Sequence, residues 1–226
     1  MPYVGNRNTV FTTFTTSDAN VTDDLTVTDD ATIGGSLAVS GDYSSTTAGT
    51  SNLRLGVNAG NSIASGGNYN VTVGDEAGTA ITTGDHNTYI GYGAGKASST
   101  QAQNTFIGSA AGDVSTGSQN LAVGYNSLSA DTNGEKSTAI GNSALATQNF
   151  TTGTDAYNTA VGYNAGLSVT TGTNNTFVGG LAGDATDDGN DNVAIGHQAL
   201  SANAGDDNIA IGKDALLVNV KNQNIA

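Results

Sequence analysis

Cysteine and tryptophan are absent from this chain of 226 residues, proline occurs once, and only six residues are basic. Without cysteine there is no disulfide, no thiolate metal ligand and no cysteine nucleophile. Six Lys and Arg against 20 Asp and Glu give a net charge of −14. That balance leaves no basic face for nucleic acid and opposes docking on anionic lipid. No apolar run approaches the ~20 residues of a membrane span. The opening Met1-Pro2-Tyr3-Val4 lacks the basic stretch and apolar run of a secretory signal. Charged residues are 12% of the chain and aromatics 6%, so few large side chains offset the entropy of ordering. Such a chain is either disordered or builds its core from small side chains in strict repetition.

Repetition is what the sequence has. One copy reads Asn104-Thr105-Phe106-Ile107-Gly108-Ser109-Ala110-Ala111-Gly112, and another Asn158-Thr159-Ala160-Val161-Gly162-Tyr163-Asn164-Ala165-Gly166. The first glycine of the motif recurs from Gly56 to Gly212 in ten copies with a period near seventeen. The opening Asn stands four residues before it in every copy except one, where Ser137 replaces it. A period this short excludes helix-pair repeats and suits one coil of a β-solenoid, two short strands and two turns.

The residue before the glycine is always branched and apolar, as in Ile90, Ile107 and Ile195, and two residues earlier comes Thr, Val, Leu or Ile. Alternate residues of a strand share a face, so these two columns are expected to fill the coil. The residue between them is expected to point outward. It includes Phe106, Ala122, Ala139, Ala160, Phe177, Ala194 and Ala210, a column that a trimer would bury against neighbouring chains. The Asn column, among it Asn52, Asn70, Asn87, Asn104 and Asn120, is expected to stack coil on coil at about 4.8 Å, with amides hydrogen-bonded along the ladder. The motif glycine marks a turn. Small pairs such as Ala94-Gly95 leave room for a neighbouring backbone, and Gly84 and Gly117 read as further turn residues.

The pattern Asn-Thr-Xaa-Ile-Gly-Xaa-Xaa-Ala-Gly resembles the head repeat of trimeric autotransporter adhesins, and still more the related repeats of tailed-bacteriophage fibre proteins. The resemblance covers residues 52–226. It implies an all-β fold: a homotrimeric left-handed β-roll, or β-solenoid, with three chains side by side around one axis. Residues 21–42 keep a different beat, with Leu25 and Val27, Ala31 and Ile33, and Leu37 and Val39 recurring every six residues. This stretch resembles the slender β-helical shafts of phage fibres. With the connector 43–51 it makes a second region, 21–51. Residues 1–20 follow neither beat. Their opening resembles the virion-attachment end of some phage fibre and tail proteins, which makes Pro2, Tyr3, Val4, Phe11 and Phe14 the candidate attachment residues.

Little in the sequence points to catalytic or metal chemistry. His86 and His197 sit beside repeat landmarks and read as tolerated surface residues, and no triad or zinc pattern accompanies them. The pairs Asp23-Asp24, Asp29-Asp30, Asp187-Asp188 and Asp206-Asp207 read as solvated turn acids rather than carboxylates facing across a cleft. Asp184 to Asn190 faintly resembles a calcium loop, but Ile195 stands where the bidentate acid belongs. The one long coil carries twelve residues between Leu145 and Asn158. Its Phe150 and Tyr157 are candidate receptor contacts, unless Phe150 folds back over the neighbouring coil.

The expectation is therefore a non-enzymatic fibre on the outside of a virion, with no cofactor and no metal. It is anchored by its N-terminus to other virion proteins of the tail, baseplate or portal region. It adheres to a host surface receptor, expected to be a glycan, without inserting into the membrane. A bacterial trimeric surface adhesin and a polysaccharide-degrading tailspike stand as alternatives. An ice-binding solenoid fits less well, because its Thr should form a flat outward array, whereas here Thr alternates with Val, Leu and Ile in a column expected to point inward. The chain ends as an eleventh copy begins at Asn224-Ile225-Ala226; related fibres often continue into a distal tip or chaperone domain.

Overall fold

A computed structural model of the chain describes residues 48–218 and 222–226, all within the unit Asp42–Ala226. The expected attachment segment and six-residue beat lie outside the described residues. The described part is all-β, a parallel β-solenoid of about nine turns. Each coil contributes one three-residue strand: β1 Leu53–Leu55, β2 Val71–Val73, β3 Thr88–Ile90, β4 Thr105–Ile107, β5 Leu121–Val123, β7 Thr138–Ile140, β9 Thr159–Val161, β10 Thr176–Val178, β11 Val193–Ile195 and β12 Ile209–Ile211. They pair in parallel and in strict order as one ten-stranded sheet. Two further strands, β6 Gly134–Glu135 and β8 Thr154–Asp155, pair with each other. Outside that extra pair, the expected second strand of each coil is replaced by turns. Those turns are still bonded coil to coil through the backbone, as at Gly95 N to Ala111 O and Gly112 N to Ser127 O.

The strand faces are the reverse of the expectation. Thr72, Tyr89, Phe106, Ala122, Ala139, Ala160, Phe177, Ala194 and Ala210, the middle residues of their strands, are all fully buried inside the single chain. The branched residues on either side face out. Phe106, Ala122, Ala139, Ala160, Phe177, Ala194 and Ala210 are thus core residues of one solenoid, and the trimer contact assigned to them is corrected. The physical reason is parity. Asn104 and Asn120 are buried, and a strand returns to the same face every second residue. Phe106 and Ala122 must therefore point inward with the asparagines that precede them.

The core keeps its volume by exchanging large for small across the coil. Six residues after each middle residue comes a position in the left-handed region, held by Gly or Leu. Where the middle residue is Tyr89, Phe106 or Phe177, that position is Gly95, Gly112 or Gly183; where it is Ala122, Ala139 or Ala194, it is Leu128, Leu145 or Leu200. A Cβ on Gly112 would lie 2.6 Å from the Phe106 ring, and one on Gly95 2.7 Å from the Tyr89 ring. Since Leu128 holds the same backbone angle as Gly112 (φ 52° and 53°), the glycine serves the ring and not the turn. Expecting it to admit a neighbouring backbone was wrong. Ala160 and Gly166 are both small, and Leu145 and Phe177 from the adjacent coils close in to 2.8 and 2.9 Å of where a Gly166 Cβ would be. Tyr89 and Phe106 stack with centroids 5.1 Å apart. The motif glycine does serve a corner: Gly91 has φ 132°, and a Cβ there would meet the Gly108 carbonyl oxygen at 2.5 Å.

The asparagine ladder works through the backbone more than between amides. The Asn104 Oδ1 accepts the backbone N–H of Asn120 at 2.8 Å, and its Nδ2 donates to the Gly117 carbonyl at 2.9 Å. The same two bonds recur at Asn70, Asn87 and Asn175. Each side chain satisfies a buried corner N–H of the next coil and closes its own coil's loop. Only a planar amide offers an acceptor and a donor at that spacing.

Candidate interaction faces

The outer face of the ten-stranded sheet carries two columns. One runs Leu53, Val71, Thr88, Thr105, Leu121, Thr138, Thr159, Thr176, Val193, Ile209; the other runs Leu55, Val73, Ile90, Ile107, Val123, Ile140, Val161, Val178, Ile195, Ile211. No charged residue interrupts either column in a chain of net charge −14. Parallel in-register pairing aligns like with like, as Thr88 with Thr105 and Ile90 with Ile107. Inside the sheet Ile90, Ile107 and Ile140 each keep 36% exposure although flanked by neighbours above and below. The second column is apolar in all ten coils, and a contiguous exposed apolar stripe of this kind marks an interaction surface.

Of the two arrangements expected for the long coil, the structure shows the one in which Phe150 folds back. Phe150 is buried, and its carbonyl accepts hydrogen bonds from Thr132 Oγ1 (2.7 Å) and Asn133 Nδ2 (3.2 Å) of the preceding coil. The receptor contact assigned to Phe150 is corrected: the ring packs, because a surplus loop can bury it against the coil edge. Tyr157 is exposed but engaged. Its hydroxyl donates to Asp155 Oδ2 at 3.1 Å, and the Lys136 ammonium lies 5.3 Å from its ring centroid and 2.5 Å from Asp155. Lys136 holds the Asp155 carboxyl below its ordinary range. The coil stays tied to the stack through the β6–β8 pair.

Beneath this coil lies a buried polar cluster that repairs the ladder where Ser137 breaks it. The Gln148 side chain donates to Ser137 Oγ (3.0 Å) and to Asp131 Oδ2 (2.8 Å), while its Oε1 accepts from Asn158 Nδ2 (2.8 Å). Asp131 also accepts the Gly134 backbone N–H at 2.9 Å. Burial pushes the Asp131 carboxyl above its ordinary range, against the lowering effect of its N–H donors. The sequence signal for this cluster was the coincidence of the missing Asn at Ser137 with the excess length of the same coil, which runs on to Asn158; its meaning needed the structure.

Other polar groups suggest no reaction. His86 is an exposed residue stacked on Tyr69 at 4.9 Å, and His197 is exposed. Asp206 caps the Asn190 backbone N–H. Among the described residues no three His, Cys, Asp or Glu come together as a metal site, and no helix is long and apolar enough to cross a membrane. The Tyr89 hydroxyl is buried without a hydrogen bond of normal geometry, and burial pushes it up to about 12, opposed by nearby Ser98 and Asn104. Its depth in the core makes it a packing group.

No family model, curated protein or solved structure matches this chain. The functional reading therefore rests on the geometry and on the repeat itself.

Proposed function

We propose that the chain is a structural, non-enzymatic subunit of a trimeric phage fibre, with left-handed rolls side by side, that holds the virion by its N-terminal residues and adheres to a host surface. The observation that carries this reading is the uncharged outer sheet face. Three identical rods with identical coil spacing match one another coil for coil, and the Thr, Val and Ile columns are the surfaces they would cover. The interface thus moves from the middle strand residues to the columns flanking them. Parallel coils of one strand each, bonded to their neighbours along the whole length, form a stiff spacer. Such a rod suits a part that projects from a particle.

Labelling tests the reading. Antibodies against the roll, viewed on purified particles by electron microscopy, should decorate slender external fibres. Decoration of a bacterial surface with bare particles would refute the phage assignment and favour the adhesin alternative.

A further inference from the structure

Three tyrosines stand on alternate coils just past the glycine corner. Tyr92, Tyr125 and Tyr163 are 60, 55 and 60% exposed. Ser109 and Asn142 occupy the coils between them. Backbone bonds fix the column: Ala110 N to Tyr92 O, Asn126 N to Ser109 O, Ser143 N to Tyr125 O, Asn164 N to Asn142 O and Leu181 N to Tyr163 O. One coil rises about 4.8 Å, so successive tyrosines are about 9.6 Å apart along the axis.

We propose that Tyr92, Tyr125 and Tyr163 form a linear platform for an extended, neutral, β-1,4-linked polysaccharide lying along the solenoid. In such a chain alternate pyranose rings turn the same apolar C–H face to one side. The face recurs every second sugar, as the tyrosines recur every second coil. Aromatic rings carry apolar faces with a polar tip, which suits C–H stacking with hydroxyl contacts at the edge. Ser109 and Asn142 are short enough not to block the intervening sugars, and both carry hydrogen-bonding groups. A polyanionic glycan is disfavoured by the charge of the rod, −14 over the chain. A rigid scaffold holds the spacing without ordering cost on binding. The inference rests on the proposed surface-adhesive role and gives it a ligand class and a site distinct from Phe150 and Tyr157.

The test is calorimetry of the full chain with cello- and chito-oligosaccharides of increasing length, with the mass in solution measured on the same samples. Affinity should be negligible for the disaccharide and rise stepwise to five sugars, the length that spans three rings. Each Tyr→Ser substitution should weaken pentasaccharide binding roughly fivefold, and Tyr92→Ser/Tyr125→Ser/Tyr163→Ser should abolish it with the oligomer intact. No binding by the wild-type trimer, or binding unchanged in the triple variant, would overturn the platform and leave the fibre reading standing. Loss of assembly in the triple variant would also overturn it, by making the tyrosines an interface between copies.

Discussion

The large-for-small exchange across the core makes a demanding prediction at Phe106 and Gly112. Phe106→Ala removes a fully buried ring and should destabilise by about 3–5 kcal/mol. Gly112→Leu with the ring kept forces atoms into a site where even a Cβ lies 2.6 Å from Phe106, an overpacking cost of about 1–3 kcal/mol or more. The double variant recreates the arrangement at Ala122 and Leu128 in the next coil, at a backbone angle Leu already adopts there. It carries two side-chain carbons fewer than the wild type, about 1.6 kcal/mol at ~0.8 per methylene. It should therefore be more stable than either Phe106→Ala or the sum of the single changes. The expected coupling is about 2 kcal/mol or more, at the upper end for residues in contact. Chemical denaturation of all four proteins at matched chain concentration measures it, since the proposed assembly would make apparent stability concentration-dependent. Strict additivity would refute the exchange.

Three further outcomes follow from the buried polar groups. Asn104→Ala leaves the Asn120 N–H and the Gly117 carbonyl without their partners and should lower stability by about 1–3 kcal/mol per group, read by denaturant midpoint; an effect under about 0.5 kcal/mol would contradict the ladder's role. Tyr89→Phe removes a buried hydroxyl that has no well-formed hydrogen bond and should raise the melting temperature, whereas a fall would show the hydroxyl to be satisfied. Asp131 titrates higher folded than unfolded, so its contribution is full below an ordinary carboxylate pKa, about 4, and is lost as pH rises through the raised value. The melting temperature of the wild type relative to Asp131→Asn should therefore fall with pH above about 4, and a pH-independent difference would count against the buried acid.

The solenoid was legible in the sequence because its cause is periodic: an Asn, a branched strand and a glycine in fixed phase repeat the same coil. The strand face was not, because hydropathy and parity disagree. Ile107 and Thr105 look like core beside Ala122, yet the surplus of apolar character on the flanking columns is on the outside of the single chain. The buried Asn104 carried the parity signal, two residues before Phe106. The pairing of Phe106 with Gly112 and of Ala122 with Leu128 was also present as a six-residue relation. It has meaning only once the coil closes and brings the two positions together. Phe150 shows the complementary limit. Loop length placed it outside the regular coil, but whether the ring faced solvent depended on the carbonyl and backbone bonds that tie it to Thr132, Asn133 and Asp131.

In the proposed trimer, two more copies of the chain cover the outer columns of the sheet. The direct test is the mass of the full chain in solution by light scattering, for the wild type and for Ile107→Lys/Ile140→Lys, with circular dichroism of both. Charges at these positions are tolerated on a free coil but would be buried unpaired between chains. A trimer gives three times the 22.4 kDa chain mass for the wild type, and the variant should be a β-structured species of single-chain mass. A wild-type protein that is folded at single-chain mass, or a variant that remains trimeric, would contradict it.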